Sequence, residues 1–398
     1  MHKIAVVTGS RAEYRLLRPT LLRMQGDSSI ELQLYVTGSH LSTSIGHTVD
    51  EIVADKLAVL ATIDIINNDV APGRQQVARA MATAIEQFTH AFDRHKPDLL
   101  LILGDRYEIL AVAQAALLSN IPIAHLHGGE ITTGAIDDAM RHAITKMANL
   151  HLVATKTHRQ RVIQLGEQPD DVFVVGAPGL EGLQDKASLS KQQVESALAI
   201  RLASPCALIT YHPETLSALS AQQQVEQVLL ALQRVDSLTC LFTAPNLDVG
   251  GDEILARIKH FVSARPEQRF FVASLGERYY LDTVNCVDVV AGNSSSGIIE
   301  VPALGVPTVN IGNRQQGRER ASTVIDVICD AAAIEDGIRL ALEQGRHQQV
   351  EHPYQLEQNA APPSEMILST IKAWIESGST VKTFYDLPEC ARLMAVAS

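Results

Sequence analysis

Residues 287 to 300, Val-Asp-Val-Val-Ala-Gly-Asn-Ser-Ser-Ser-Gly-Ile-Ile-Glu, carry the clearest structural signal in the chain, and Pro307-Thr-Val-Asn-Ile311 follows them. The pattern predicts a strand, a small-residue turn that opens a helix, and a second strand. The start of such a helix presents backbone N–H groups and a positive dipole end, and this arrangement suits a phosphate group. We therefore expect a nucleotide-binding turn here, with Glu300 placed to accept hydrogen bonds from ribose hydroxyls.

Short apolar runs of the same kind recur along the whole chain, with helical patterns between them. In the first half they are Ile4 to Val7, Leu32 to Val36, Leu99 to Leu103, Ile121 to Leu126, Leu150 to Ala154 and Val172 to Val175. In the second half they are Cys206 to Thr210, Leu238 to Thr243, Arg269 to Ala273, Val287 to Ala291 and Thr308 to Ile311. Continuous β-rich runs separated by helices predict parallel strands that are covered on both faces, an α/β fold.

The alternation stops near the middle of the chain, at Gly176-Ala-Pro-Gly-Leu-Glu-Gly-Leu183. Turn residues at this density between two periodic regions indicate a hinge between domains. We expect an N-terminal domain over residues 1–177 and a C-terminal domain over 178–363, with a cleft between them. Residues 364–398 form a helical segment that we expect to pack back on the first domain.

The composition excludes several classes of function. The 398 residues carry a formal net charge of −12, which argues against nucleic acid as a partner. No apolar stretch approaches the roughly 20 residues of a membrane-spanning helix, and no secretory leader is expected at Met1. Five single cysteines suit the reducing cytoplasm rather than a disulfide framework.

Polar residues follow the predicted strands of the first domain, where ligands of open α/β sheets bind. Arg11 follows the first strand as a candidate cation, or as a solvated residue at a helix start. Asp105 follows Leu99 to Leu103 as a candidate acid, or as an N-cap. A cluster of ionisable residues then lies within 18 residues: His125, His127, Glu130, Asp137, Asp138, Arg141 and His142. The spacing matches no common metal motif, so we interpret the cluster as acid/base machinery, although either aspartate could simply cap a helix.

The second domain offers one histidine and one basic loop. His212 lies just before Pro213, which places it on a loop at a strand end; an isolated histidine can also be purely structural. Arg314, Arg318 and Arg320 follow the last strand, and in an acidic chain they are suited to balance a diphosphate, or they form a solvated face. The GxGxxG pattern is absent, so no nicotinamide or flavin cofactor is predicted.

Taken in order, these motifs resemble one known family. They are Gly-Ser-Arg-Ala-Glu-Tyr14, Gly-Asp-Arg-Tyr-Glu108, His-Leu-His-Gly-Gly-Glu130, Asp-Asp-Ala-Met-Arg-His-Ala-Ile-Thr-Lys146, Tyr-His-Pro-Glu-Thr215 and Gly-Asn-Ser-Ser-Ser-Gly-Ile-Ile-Glu300. The chain resembles the hydrolysing UDP-N-acetylglucosamine 2-epimerases, in particular the branch of sialic-acid and legionaminic-acid biosynthesis. The resemblance covers residues 3 to 375 and implies a glycosyltransferase-B-like fold of two Rossmann-like domains facing a cleft.

The resemblance also implies a reaction and a division of roles. UDP-N-acetylglucosamine and water would give N-acetylmannosamine and UDP, by elimination to 2-acetamidoglucal and rehydration, without a cofactor or metal. The implied catalytic residues are Asp105, His127, Glu130, Asp137 and His212. The implied nucleotide and phosphate contacts are Arg11, Asn293, Ser294, Ser295, Ser296, Gly297, Glu300 and Arg314. The family is also expected to form a homodimer or homotetramer.

Two positions depart from the family pattern. His127 stands where many members have glutamate, and His352-Pro-Tyr-Gln355 replaces an Asn-Pro-Tyr-Gly-like signature. Imidazole can also accept and return a proton near neutral pH. The first departure leaves open a substrate of the legionaminic-acid pathway, UDP- or GDP-linked 2,4-diacetamido-2,4,6-trideoxyglucose. A glycosyltransferase and a nucleotide-sugar sensor without turnover are the competing functions on the same fold.

Overall fold

The computed structural model describes residues 1–41, 48–66, 73–133, 136–183, 188–214, 217–245, 250–357, 360–378 and 381–388. The chain divides into two compact units. The first consists of Met1–Glu130, Asp137–Glu181 and Leu356–Ser398, and the second of Ile131–Ile136 and Gly182–Gln355. The units therefore change over at 181/182 and 355/356, whereas the sequence predicts boundaries at 177/178 and 363/364. The short segment 131–136 is an addition that the sequence pattern does not indicate.

The first unit is built on a parallel sheet. Its described strands are β1 (His2–Thr8), β2 (Ile30–Thr37), β3 (Val59–Ile63), β4 (Leu99–Leu103), β5 (Ile123–Leu126), β6 (Leu150–Val153) and β7 (Val172–Val174). Their order in the sheet is β3-β2-β1-β4-β5-β6-β7. Its helices are α1 (Arg11–Gly26), α2 (Val49–Ala54), α3 (Arg74–His95), α4 (Tyr107–Leu118), α5 (Asp137–Met147), α6 (Lys156–Gln164) and α13 (Pro363–Ser377).

The second unit repeats this plan. Its described strands are β8 (Cys206–Thr210), β9 (Thr239–Thr243), β10 (Arg269–Val272), β11 (Val289–Gly292), β12 (Thr308–Ile311) and β13 (Val324–Val327), in the order β10-β9-β8-β11-β12-β13. Its helices are α7 (Lys191–Leu198), α8 (Ala221–Arg234), α9 (Gly251–Ser263), α10 (Gly276–Cys286), α11 (Ser296–Ala303) and α12 (Ala331–Gln344). All of its strand pairs are parallel, as in the first unit.

Both sheets are buried on both faces. In β1, Ile4 and Val6 belong to one apolar cluster, whereas Ala5 and Val7 belong to another. Successive side chains of a strand point to opposite faces, so the two clusters cover opposite sides of the sheet. In the second unit the residues of β8 alternate between two clusters in the same way. This burial explains the continuous apolar runs, and the predicted α/β class is confirmed.

The strand order determines where a ligand can bind. In each sheet the first three strands follow one another in one direction, and the chain then crosses back and adds the remaining strands on the other side of the first strand. The direction of strand order therefore reverses between β1 and β4 and between β8 and β11. Loops that follow the carboxyl ends of strands at such a point form the usual ligand site of an open α/β sheet. None of the described helices has the length and apolar content needed to cross a membrane.

Candidate active site

Asp105 follows β4 and forms an ion pair with Arg141 of α5. Arg141 is only 1% exposed, and a second nitrogen of its guanidinium donates to the Glu130 carbonyl oxygen at 3.1 Å. A buried guanidinium requires a compensating charge, and Asp105 supplies it. Helix α4 begins at Tyr107 with Arg106 at the N-cap position, so Asp105 does not serve as that cap. The pair instead connects the end of β4 to α5 and to the turn after β5.

His127 and Glu130 form a buried pair after β5. The Nδ1 atom of His127 lies 2.5 Å from Oε1 of Glu130. The structure gives the Nε2 atom of His127 no partner among the described residues, although that atom is buried. A carboxylate that accepts from Nδ1–H leaves the lone pair of the neutral ring on Nε2. His127 also has a φ of 62°, a strained backbone for a non-glycine residue that is found preferentially at functional sites.

His125 supports this arrangement from inside the sheet. Burial lowers the pKa of its imidazole to about 3, so the ring is neutral at physiological pH. Its Nε2 lies 2.8 Å from the Gly104 carbonyl oxygen, and its Nδ1 lies 3.2 Å from the hydroxyl of Thr145 on α5. The neutral ring therefore donates to the carbonyl and accepts from the hydroxyl. His125 holds the turn that carries Asp105 and is not itself placed as a proton carrier.

The two other candidates of the first unit lie at helix starts. Arg11 is the first residue of α1, and its Nε lies 3.2 Å from Oε1 of Glu51. Asp137 is the first residue of α5 and is half-buried. Among the residues described, no group of three or more His, Cys, Asp or Glu side chains has the geometry to hold a metal ion.

In the second unit, the turn between β11 and α11 has the predicted strand–turn–helix form. Gly292 ends the strand with a φ of 139°, and a Cβ at this position would collide with the Thr210 carbonyl oxygen. Ser295 stands at the N-cap position of α11, and the hydroxyl of Tyr280 donates to that of Ser296 at 2.7 Å. Ser294 and Gly297 close the turn through a backbone hydrogen bond of 3.1 Å, and Glu300 is buried on α11.

Asn293 is fully buried and uses its side chain on the protein itself. Its Oδ1 accepts from the backbone N–H of His212 at 2.7 Å, and its Nδ2 donates to the His212 carbonyl oxygen at 2.8 Å. Both polar atoms of the side-chain amide therefore form hydrogen bonds within the protein, whereas the resemblance implies that Asn293 contacts the phosphate. Burial, together with the nearby charge of Arg314, lowers the pKa of His212 well below its usual value. His212 is therefore a neutral imidazole.

The loop after β12 contacts a carboxylate of another loop, that of Glu214, which is not among the predicted site residues. Glu214 accepts through Oε1 from the backbone N–H groups of Asn313 at 2.8 Å and of Arg314 at 3.2 Å. Its position two residues after His212, at a strand end, is the signal that could have identified it. Arg320 pairs with Asp326 at 3.0 Å and donates to two carbonyl groups, so it stabilises the loop rather than presenting a charge to a ligand.

The candidate residues thus fall into two sets. Those of the first unit lie on the segments that follow β1, β4 and β5: Arg11, Asp105, His127, Glu130 and Asp137. Those of the second unit follow β8, β11 and β12: His212, Asn293, Ser294, Ser295, Ser296, Gly297, Glu300 and Arg314.

Two parallel α/β units of this kind define the glycosyltransferase-B-like fold class. The solved structure of the UDP-GlcNAc 2-epimerase from Neisseria meningitidis bound to UDP-GlcNAc matches the chain with a TM-score of 0.78 and 18% identity, covering 93% of this chain and 100% of that one. Residues 22–368 match the model of the UDP-N-acetylglucosamine 2-epimerase family. The chain belongs to this family, and the family predicted from the motifs is confirmed.

Two curated relatives are similar over most of their length. The polysialic acid biosynthesis protein P7 of Escherichia coli is 37% identical over 396 residues, which is 98% of this chain and 99% of the relative. The GDP/UDP-N,N'-diacetylbacillosamine 2-epimerase (hydrolyzing) of Campylobacter jejuni is 38% identical over 325 residues, which is 81% of this chain and 84% of the relative.

Proposed function

We propose that the protein is a hydrolysing nucleotide-sugar 2-epimerase that converts UDP-N-acetylglucosamine and water to N-acetylmannosamine and UDP. The observation that carries the proposal is the pair of His127 and Glu130, in which the carboxylate holds Nδ1 and leaves Nε2 available for proton transfer. Membership of the 2-epimerase family supports the reaction class. The product would serve the synthesis of sialic-acid-type sugars.

The reaction has two steps. In the elimination, a base removes the proton on carbon 2, the bond from carbon 1 to the diphosphate oxygen breaks, and a double bond forms between carbons 1 and 2. UDP departs with the electron pair of the broken bond. In the hydration, water oxygen adds to carbon 1 and loses one proton to a base, while an acid delivers a proton to carbon 2 on the face opposite the one from which the first proton left. The proton on carbon 2 is not acidic, so stabilisation of the departing diphosphate must contribute much of the rate.

The contacts within the first unit suit proton transfer. His127 would exchange a proton through Nε2, with Glu130 stabilising the imidazolium, as carboxylates do for catalytic histidines. Asp105, held by Arg141, and Asp137 would supply the further carboxylates. In the second unit His212 and Arg314 would stabilise the leaving diphosphate. Arg11 of the first unit would be a further cation for the same group. Ser295 and Ser296 would bind the diphosphate and Glu300 the ribose.

A second substrate is favoured by a specific observation. The Campylobacter jejuni relative is named for GDP/UDP-N,N'-diacetylbacillosamine, and a Legionella pneumophila relative, 37% identical over 346 residues, is named for the UDP-linked sugar. We therefore carry a UDP- or GDP-linked 2,4-diacetamido-2,4,6-trideoxyglucose as the alternative substrate, with the same two steps.

The test is turnover in heavy water followed by NMR. The protein is incubated separately with UDP-N-acetylglucosamine and with each diacetamido nucleotide sugar, and no acceptor is added. Release of UDP together with N-acetylmannosamine that carries deuterium at carbon 2 is the expected result. Turnover of a diacetamido sugar alone would move the assignment to the alternative substrate. If neither sugar is consumed, the hydrolysing function is wrong, and a glycosyltransferase or a sensor becomes the better interpretation.

A matched pair of variants tests the role of the histidine. His127→Gln should lower kcat by about 10² to 10⁴, the usual contribution of a positioned acid or base. His90→Gln replaces an exposed histidine of α3 in the same unit and should leave kcat unchanged. Equal rates for the two variants would remove His127 from the proton transfers.

A further inference from the structure

We propose that Asn293 and Glu214 are positioning residues that fasten three loops of the second unit into a closed ring and thereby place His212 and Arg314. The loops are residues 211–214 after β8, 293–295 after β11 and 312–315 after β12, and we call the arrangement the loop ring. The ring itself is a property of the fold. Only its effect on turnover depends on the function proposed above.

The first link joins the loops after β8 and β11. The side chain of Asn293 forms two hydrogen bonds with the backbone of His212. Its Oδ1 lies 2.7 Å from the N–H nitrogen and its Nδ2 lies 2.8 Å from the carbonyl oxygen. Asn293 is fully buried. A two-point contact to one peptide segment fixes both the position and the orientation of His212.

The second link joins the loops after β11 and β12. The carbonyl oxygen of Asn293 accepts from the guanidinium of Arg314 at 3.1 Å and from the side-chain amide of Gln315 at 2.8 Å. Gln315 is only 1% exposed. One residue therefore holds His212 through its side chain and Arg314 through its main chain.

The third link closes the ring between the loops after β12 and β8. Glu214 accepts through a single oxygen from the backbone N–H groups of Asn313 and Arg314, at 2.8 and 3.2 Å. Gly312 lets the carboxylate come this close, because its φ is 79° and a Cβ there would collide with Oε1 of Glu214. The close approach requires glycine at this position.

The ring predicts a specific pattern of kinetics. Asn293→Ala and Glu214→Ala should each lower kcat/KM at least tenfold, since small displacements of a reacting group are costly. Glu214→Gln keeps an oxygen that accepts both N–H groups, so kcat/KM should stay within about threefold of the wild type. A role through the charge of Glu214 would instead make the glutamine variant as slow as the alanine variant.

The double variant, Asn293→Ala with Glu214→Ala, tests whether the two side chains act together in placing His212 and Arg314. Once one of these links is removed, removing the other should lower kcat/KM little further. The fold-loss of kcat/KM in the double variant should therefore be at least fivefold smaller than the product of the two single fold-losses. Losses that simply multiply would overturn the proposal. Asn310→Ala is the matched control: Asn310 is equally buried on β12 but donates to Asp326 at 2.6 Å, outside the ring, and its loss should be within twofold.

Amide hydrogen exchange tests the ring without any substrate. Glu214→Ala should accelerate exchange in peptides that span 312–315, Glu214→Gln should not, and Asn293→Ala should accelerate it in peptides that span 211–214. Unchanged exchange in both alanine variants would overturn the ring. If the wild type turns over no nucleotide sugar, the proposed function is wrong. Amide hydrogen exchange would still show whether the loop ring exists, because it requires no turnover.

Discussion

Glu13 is a buried carboxyl of the first unit whose surroundings shift its pKa strongly. Burial, and then the charge of Glu108, raise the pKa of its carboxyl to about 7. Its Oε2 accepts from the Gly9 N–H at 2.7 Å, while Arg106 pairs with Glu108 at 2.7 Å. The carboxyl of Glu13 is therefore largely protonated below neutral pH, directly under the turn that leads to Arg11.

This pKa makes stability depend on pH. A carboxyl whose pKa rises on folding binds more protons in the native state than in the unfolded state, so stability falls as the pH rises from about 4.5 to about 7. The loss amounts to up to about 3 kcal/mol, at about 1.4 kcal/mol per unit of pKa. Glu13→Gln mimics the protonated form. The variant should gain stability relative to the wild type as the pH rises, by up to about 3 kcal/mol at pH 8.

Urea unfolding at pH 5 and pH 8 measures the effect. Trp374 is the single tryptophan of the chain and lies in the same unit, so its fluorescence reports on this unfolding. Glu376→Gln, at an exposed position of α13, should show no such dependence. A constant difference between Glu13→Gln and the wild type at both pH values would mean that Glu13 is ionised throughout.

For single residues, the sequence predicts which ones belong to the candidate site better than it predicts which residues they contact. Asp105 and His127 are recognisable because each follows a buried strand. Glu13 and Glu108 stand in the motifs Gly-Ser-Arg-Ala-Glu-Tyr14 and Gly-Asp-Arg-Tyr-Glu108. Their mutual approach depends on β1 lying beside β4, which residue types alone do not determine. The same holds for Glu214, whose partners lie about 100 residues away in the sequence.

Among the secondary-structure elements, helix α13 shows how the end of the chain contributes to the first unit. Ile367, Ile371 and Trp374 belong to the same apolar cluster as Leu17 and Leu21 of α1. Polar contacts flank this surface: Lys372 pairs with Asp27 at 2.8 Å, and the indole N–H of Trp374 donates to Asp171 at 3.0 Å. The helix therefore contributes to the core of this unit.

Removing one core side chain of α13 should weaken the whole unit. Ile371 is fully buried, so Ile371→Ala should lower the free energy of unfolding by roughly 2–5 kcal/mol, the range for large-to-small substitutions in a core. Trp374 fluorescence in urea measures this change. Glu376→Ala, at an exposed position of the same helix, should change stability by less than about 0.5 kcal/mol. If the two variants unfolded alike, α13 would not be part of the cooperative core.

The strands show where the apolar pattern stops being informative. The runs Leu99 to Leu103 and Cys206 to Thr210 match β4 and β8 residue for residue, because these strands are buried on both faces. The runs predict neither β3 nor β13. Both are edge strands with partly exposed side chains, so their sequences lack a continuous apolar run.

For the whole molecule, the predicted roles of the candidate residues are divided between the two units. The acid/base candidates are concentrated in the first unit, and the turn that is predicted to bind the nucleotide lies in the second. Arg11 is the candidate of the first unit that the resemblance assigns to the phosphates. The homodimer or homotetramer stays a prediction, which light scattering would check against multiples of the 43.2 kDa chain.

The division predicts that binding and turnover respond to different substitutions. Asp105→Asn should lower turnover by orders of magnitude, while the dissociation constant of UDP, measured by calorimetry, stays within about threefold of the wild type. Ser296→Ala should raise that constant by about tenfold or more, because a hydrogen bond to a charged phosphate contributes roughly 1.5–3 kcal/mol. Arg11→Ala should also weaken UDP binding.

Ser263→Ala controls for the loss of a hydroxyl, since Ser263 is exposed at the end of α9 in the second unit. The decisive comparison is between Asp105→Asn and Ser296→Ala. If the asparagine variant binds UDP as weakly as the alanine variant, Asp105 contributes to nucleotide binding and its role is not confined to turnover. If Ser296→Ala binds UDP as the wild type does, the turn at the start of α11 is not the phosphate site. If turnover falls in Asp105→Asn while UDP affinity is kept, Asp105 acts in the chemical steps rather than in nucleotide binding.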